Sequence, residues 1–356
     1  MELTTTKGSK QAVVNAFGGI ENLVIHEVKT PTPKSSEVVI ALTSIGMNQA
    51  DLMARRGEYR LSSGAPPFIP GIEGGGTITA IGTDVKNRQV GQRVILSLSA
   101  PQGKGTYRSH FVAAATDTIP VPDSIPDHLI GALWLPFLTA WGALVWRQNL
   151  QAGQTVLLPA ASSSVAIAAS QIAKQRGAIT IGTTTSPHKV NALKALDAAQ
   201  YDHIVLTQRS EAAEKTNQEP WWRTVKKIAQ QGAGHRESGH RGIDIIFDPV
   251  AAGSFLHHEI RLLAQGGTLW AYGLLGTPDT VDISPLIRKD AAIRGWLLNS
   301  IAGTDVEAKA YQHILENVSQ GTYTLPVADI FELAQVREAQ QAMEKGTHIG
   351  KYILVP

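Results

Sequence analysis

The sequence predicts a two-domain α/β chain in which a doubly wound parallel sheet is inserted into a smaller, barrel-like antiparallel domain. Three observations carry that expectation. The first third is a series of short β-prone runs punctuated by Gly and Pro, the pattern of compact antiparallel structure. After Asp123 apolar β-prone runs alternate with helical segments, which implies parallel strands covered on both faces. The length of 356 residues exceeds one small core and suits two domains of ordinary size.

In the antiparallel part the expected strands are residues 11–17, 23–28, 38–45, 75–81, 93–97 and 107–113. The parallel part begins with a strand at 155–159, a helix at 165–176 and a strand at 179–183, one βαβ unit. It continues as helix 189–196, strand 203–207, helix 222–231, strand 243–248, helix 254–263 and strand 268–273. Residues 208–220 and 232–242 look like surface insertions, and His235 and His240 within them like solvated loop residues, because no acidic cluster or cysteine completes a metal site. A tail of helix 306–320, strand 325–330, helix 334–345 and strand 351–355 is expected to return to the first domain. The expected domains are therefore 1–127, 128–297 and the return 298–356.

Composition removes several kinds of chemistry. With 32 basic and 30 acidic residues the formal charge is +2, so no long-range field selects nucleic acid as a partner. The absence of cysteine excludes disulfides, thiolate nucleophiles, Fe–S clusters and thiolate zinc sites. Any redox chemistry then needs an organic cofactor. Residues 1–11 are polar, without the apolar core of a secretory signal, so the cytoplasm is the expected location. Residues 128–146 carry no formal charge, but Pro136 and the glycines Gly131 and Gly142 interrupt them. A buried helix pair at a domain junction is expected there instead of a membrane span.

The turn Leu158-Pro-Ala-Ala-Ser-Ser-Ser-Val-Ala166 stands where a dinucleotide pyrophosphate would meet a helix N-terminus. It lacks the usual glycines. Ser162, Ser163, Ser164 and Val165 can still serve phosphate if the backbone keeps negative φ; the alternative is a plain serine N-cap. After the next strand, Thr183-Thr-Thr-Ser-Pro-His-Lys189 contains no carboxylate. An acid there selects NAD, whereas Ser186, His188 and Lys189 suit the 2′-phosphate of NADPH; a capped, exposed helix start is the plainer reading.

The motifs Ile45-Gly-Met-Asn-Gln-Ala-Asp51, Gly57-Glu-Tyr59, Pro70-Gly-Ile-Glu-Gly-Gly-Gly76, Val90-Gly-Gln-Arg-Val94, Phe137-Leu-Thr-Ala-Trp141 and Gly350-Lys351 occur in that order. Together they resemble the medium-chain dehydrogenase/reductase superfamily, in its zinc-independent quinone oxidoreductase-like branch, from Gln11 to Pro356. The resemblance implies a Rossmann domain inserted in a GroES-like β-barrel catalytic domain, with the active site in the cleft. It places Asn48, Ile72 and Leu135 where zinc-using relatives have ligands, so no metal is expected.

The resemblance further implies that Tyr59 is the proton donor, with a shape-packing tyrosine as the alternative. Asn48 would orient Tyr59, the substrate carbonyl or the nicotinamide ribose, unless it only bonds nearby backbone. Thr139 would lie by the nicotinamide, or bond its own helix. Gly273, Leu274 and Lys351 would contact the coenzyme, and Ile72, Trp141 and Leu275 would form an apolar substrate wall. The expected activity is NADPH-dependent hydride transfer to quinones or α,β-unsaturated carbonyls. The alternatives are a 2-enoyl thioester or alkenal reductase, or a non-catalytic NADPH-binding sensor or structural protein. A homodimer joined along the β-prone edge 268–272 is also expected.

Overall fold

The computed structural model describes residues 8–59, 64–207, 219–232, 242–277 and 279–356. His235 and His240, with most of the two expected insertions, lie outside the described residues. Two compact units divide the chain: Met1–Leu135 with Ile301–Thr322 and Pro326–Pro356, and Pro136–Ser300 with Tyr323–Leu325.

The first unit opens with strands β1 (Ser9–Val14), β2 (Leu23–Val28) and β3 (Glu37–Gly46), followed by helix α1 (Gln49–Arg56). Strands β4 (Gly75–Ile81), β5 (Arg93–Leu96), β6 (His110–Ala114) and β7 (Thr118–Pro120) and the short helix α2 (Asp127–Ile130) complete its N-terminal part. The expected strand at 107–113 begins later, because Tyr107 and Thr106 are used in turns against Pro70 and Gly71.

Helix α3 (Trp134–Trp141) runs on through a wider turn at Gly142–Arg147. The uncharged apolar stretch is interior here: Phe137, Leu138, Ala140, Ala143 and Leu144 are all buried. The second unit then alternates β8 (Thr155–Leu158), α4 (Ser164–Gln175), β9 (Ile179–Thr184), α5 (Pro187–Lys194) and β10 (His203–Leu206). Helix α6 (Trp221–Gly232), β11 (Ile243–Asp248), α7 (Gly253–Leu262), β12 (Leu263–Ala271), α8 (Ser284–Lys289) and β13 (Ala292–Gly295) follow. Its strands pair in the order β10-β9-β8-β11-β12-β13, and every pairing is parallel. That is the doubly wound Rossmann order, whose reversal point lies between β8 and β11. Alanine-rich α4 buries Ala166, Ala168, Ala169 and Ala173, and short side chains let the helix backbone lie close over the sheet.

One expectation fails in this sheet. The run 268–272 is not an edge: β12 lies between β11 and β13, and β13, unread in the sequence because it is short and half polar, is the terminal strand. Three of its four residues are exposed.

The chain returns to the first unit as α9 (Asp305–Ser319), β14 (Val327–Glu332), α10 (Val336–Lys345) and β15 (Lys351–Val355). The first unit's larger sheet has the order β14-β15-β3-β4-β5-β7, with β6 also paired to β3. Strand β3 is its hub, flanked by β4, β6 and β15. Its Val38, Ile40, Leu42 and Ile45 face a core shared with Tyr107, Phe111 and Leu354. The β3–β4 pairing is irregular at Leu42/Ser44, where Gly76 is required: a Cβ would stand 2.0 Å from the Ala41 carbonyl oxygen.

Beneath the N-terminus of α1 lies a carboxyl with few polar neighbours. Asp51 is 1% exposed; its Oδ2 accepts from the Asn48 backbone N–H at 2.8 Å and the Tyr107 hydroxyl at 3.0 Å. Burial pushes its pKa up from 3.8 to about 7, against the opposing pull of those hydrogen bonds and of Lys351. The folded protein thus holds this proton more tightly than the unfolded chain, and stability falls as pH rises from about 4 to about 7. Asp51→Asn should remove that dependence. Urea titrations across this range should show the wild type losing on the order of 4 kcal/mol more stability than the variant. Equal slopes in the two proteins would overturn the assignment.

Candidate active site

The first unit gathers a buried polar cluster at the end of β3. Strand β15 begins with Lys351, which is 2% exposed, and β4 is preceded by Glu73, which is 5% exposed. The two form a buried ion pair. Between them stands Asn48, which follows β3 and starts α1. Its Nδ2 donates to Glu73 Oε1 at 3.0 Å and to the Gly46 carbonyl at 3.2 Å, and its Oδ1 accepts from Lys351 Nζ at 2.7 Å. Glu73 Oε2 accepts from the Leu135 backbone N–H at 3.2 Å. A buried charge of this kind survives only when paired and hydrogen-bonded on its remaining sides. The backbone is shaped to it, since a Cβ on Gly46 would lie 2.2 Å from Glu73 Oε1 and 2.8 Å from Lys351 Cε.

Lys351, expected on resemblance to contact the coenzyme, pairs with Glu73 and donates to Asn48. Glu73, named in the sequence only as part of the motif from Pro70 to Gly76, is its counter-ion. Asp51 and Tyr107 were likewise absent from the expected site, since no linear pattern marks a tyrosine 56 residues from its carboxylate. Tyr59 is half-buried, two residues past Gly57, whose left-handed φ of 82° ends α1 and lets Glu58 N–H return to the Met53 carbonyl at 2.9 Å. Ile72, beside Glu73, is half-buried as well.

In the second unit the turn after β8 stands at the sheet's reversal point, where doubly wound folds bind ligands. Ala161 is held by its N–H to the Thr183 carbonyl at 2.8 Å and by its carbonyl to the Tyr201 hydroxyl at 2.8 Å. Ser163 is the N-cap of α4, accepting from the Ala166 N–H at 3.2 Å. Ser164 and Val165 open the helix. The condition of negative φ holds at Ser162, Ser163 and Ser164, whereas Ala160 just before them has a φ of +52°. A residue with a Cβ accepts a conformation that costs about 1 kcal/mol, held by those flanking bonds.

Lys189, in the first turn of α5, reaches back to this turn: its Nζ donates to Ser162 Oγ at 3.0 Å. Partial burial lowers the pKa of that ammonium. Ser186 is the N-cap residue of α5, and His188 is exposed. So the structure joins Ser162 and Lys189, 27 positions apart, into one basic, hydroxyl-lined corner, with no acidic residue from Thr183 to Lys189.

The remaining assignments in this unit are more scattered. Thr139 and Trp141 are each 9% exposed in α3, and the Thr139 carbonyl accepts from Trp296 Nε1 at 2.9 Å. Gly273 follows β12 against the β11 loop, where a Cβ would meet the Pro249 carbonyl oxygen at 2.5 Å. Leu274 and Leu275 are 67% and 46% exposed; Leu275 is anchored by its N–H to the Pro249 carbonyl at 3.1 Å.

The donor set does not suit zinc. The side chains of Ile72 and Leu135 have no lone pair to give. The Asn48 oxygen already receives an ammonium, whose charge opposes a second cation at the same place. No group of three or more His, Asp or Glu residues able to hold a metal occurs among the described residues.

Comparison with known proteins agrees with this architecture. Residues 34–123 match the alcohol dehydrogenase GroES-like domain, and residues 164–318 the zinc-binding dehydrogenase family. The chain is 28% identical over 365 residues to a phenolphthiocerol/phthiocerol polyketide synthase of Mycobacterium tuberculosis, covering 99% of this chain and 15% of that much longer protein. It is 28% identical over 346 residues to human quinone oxidoreductase, covering 95% of each. The crystal structure of Escherichia coli quinone oxidoreductase complexed with NADPH superposes with a TM-score of 0.82 at 23% identity, over 98% of this chain and 100% of that one. Antiparallel unit, doubly wound sheet and their matches in the same order make the chain a member of the medium-chain dehydrogenase/reductase superfamily, in its quinone oxidoreductase-like branch.

Proposed function

We propose that this protein is an NADPH-dependent reductase that delivers hydride to quinones or α,β-unsaturated carbonyl compounds without zinc. The observation that carries the reading is the corner made by Ser162 and Lys189, 3.0 Å apart at the reversal point of the parallel sheet, in a loop whose run from Thr183 to Lys189 has no acidic residue. A 2′-phosphate would give the Lys189 ammonium an anionic acceptor in place of the neutral Ser162 hydroxyl. The N-terminus of α4 favours the pyrophosphate through its free N–H groups and dipole. Ser163 serves its own helix as cap, leaving Ser162 and the backbone of Ser164 and Val165 for the anion.

Bound NADPH supplies the hydride. The acceptor must then carry negative charge on oxygen without a Lewis acid, which quinones and enones do by delocalisation. Among this chain's residues Tyr59 is our candidate for the proton donor, and Asn48, Thr139, Ile72, Trp141 and Leu275 for the surroundings of the acceptor. We also propose a homodimer, now through the exposed terminal strand β13, next to which Ile287 and Leu297 are 82% and 51% exposed.

NADPH should bind at least tenfold more tightly than NADH, about 1.4 kcal/mol, and Lys189→Ala should shrink that gap. Fluorescence titration with both coenzymes decides it, and equal affinities would refute the coenzyme assignment. Tyr59→Phe separates the two substrate classes. A hydroquinone anion collects its proton from water, whereas an enolate needs a placed acid. Quinone turnover should therefore stay within about tenfold of wild type, while enone or enoyl-thioester turnover should fall by about a hundredfold or more. Equal small losses on both classes reduce Tyr59 to a packing residue. Light scattering should give twice the 38.1 kDa chain mass; a monomer at micromolar concentration contradicts the proposed dimer.

A further inference from the structure

Two carboxyls lie buried together in the second unit, Asp248 at the end of β11 and Glu259 on α7, and they are hydrogen-bonded to each other. Asp248 also accepts from the Val250 N–H at 2.7 Å on one oxygen and from the Ala251 N–H at 2.6 Å on the other. Glu259 Oε2 has no hydrogen-bond partner among the described residues. Backbone donors favour a carboxylate, whereas a bare buried oxygen is tolerable only on a neutral acid. Asp248 therefore carries the charge, and Glu259 carries the proton that joins them. The other titratable groups nearby do not alter this. Tyr272, just past β12, faces Asp248 and is kept a neutral phenol by burial. On α7, Arg261 reaches Asp282, and His258 stacks on Trp222 of α6 and against His257. From α8, Lys289 donates to the Arg261 and Leu263 carbonyls, with Lys226 of α6 beside it. Burial, with Asp248 at contact, raises the Glu259 pKa well above its ordinary value.

The pair stands at the root of two loops at the carboxyl end of the sheet, where doubly wound folds bind ligands. Ala251 has a left-handed φ of +48°, and its N–H to Asp248 holds it there. The segment after β12 hangs on this loop: the Tyr272 N–H donates to the Asp248 carbonyl at 3.0 Å and the Gly276 N–H to the Val250 carbonyl at 3.1 Å. A Cβ on Gly276 would stand 2.4 Å from the Ala252 Cβ, so neither loop moves without the other.

We propose that Glu259 is a positioning residue: by donating its proton to Asp248 it locks the loops 249–252 and 272–276 in the shape that receives the coenzyme, and its ionisation releases them. Loss of that proton sets two buried negative charges against each other with no cation between them, and the separation that relieves them breaks the Asp248 bonds to Val250 and Ala251. The folded protein holds this proton more tightly than the unfolded chain, so the lock is complete below the ordinary glutamate range and is lost as pH rises through the raised pKa. That the locked shape serves a coenzyme rests on the reductase reading; the lock itself does not.

Glu259→Gln tests this, because its amide donates to Asp248 at every pH. NADPH affinity is titrated for both proteins from neutral pH upward. Lys189 titrates in both, so only the difference between the two curves belongs to Glu259. Wild-type affinity should fall relative to the variant by up to about tenfold per pH unit, the limit for one proton; parallel curves overturn the proposal. An infrared difference spectrum, wild type minus variant without coenzyme, should show a protonated carboxyl stretch at neutral pH, and a carboxylate band in its place overturns it as well. Hydrogen exchange in the coenzyme-free wild type reads the loops even if the variant does not fold. Corrected for intrinsic pH dependence, protection of the Val250, Ala251 and Gly276 amides should drop at alkaline pH while that of β9 persists; unchanged protection refutes the lock. The protonated band and pH-dependent protection in a protein that binds NADPH at no pH leave the lock standing and remove the reductase reading.

Discussion

The ammonium of Lys351, held out of water between Glu73 and Asn48, is the constraint around which the antiparallel unit is arranged. A buried ion costs several kcal/mol unless its partners are placed correctly. Here the cluster is drawn from four places in the chain: the start of β15, the loop before β4, Asn48 between β3 and α1 and, through its N–H to Glu73, Leu135. Removing either charge strands the other, so breaking the pair costs about 3–5 kcal/mol. The cluster thus joins the last strand of the protein to the hub strand of the sheet. The same arrangement explains Gly46, whose missing side chain admits both partners.

A second buried acid lies one hydrogen-bonding step away, since the Asn48 backbone N–H donates to Asp51 and Tyr107 donates to the same oxygen. The two carboxyls are solved differently. Glu73 has a full counter-charge at contact. Asp51 has only dipoles at contact and Lys351 at a distance, so burial dominates and its pKa rises to about 7.

The parallel unit meets its own constraint at the βα turn. Glycines usually allow backbone to approach a pyrophosphate; this chain has alanine and serine, with Ala160 in the left-handed region. Strain of that kind persists where neighbours over-determine the backbone, and Tyr201 and Thr183 supply those bonds on Ala161. The serine side chains then take distinct duties: Ser163 caps its helix, while Ser162 receives Lys189.

Much of the fold was legible from local pattern. Alternation of period-two and period-3.6 segments marked β8 to β12 with their helices, because each element buries one stripe or face of its own. The glycine-free turn, the carboxylate-free loop after β9 and the lost zinc ligands could be read directly, since ligand chemistry depends on residue type. Strand β13 was missed because four half-polar residues carry no periodic signal and are strands only by pairing with β12. The partners of Lys351 were missed for a related reason. Asn48 and Lys351 are 303 positions apart, and nothing near either reveals that one will hold the other. Sequence by itself determined which side chains were available and which elements would form, through propensities acting over a few residues. Tertiary structure alone decided which of those side chains are buried together, and hence that Lys351 is the counter-ion of Glu73, because burial and charge pairing are set by distances in space that the chain order does not contain.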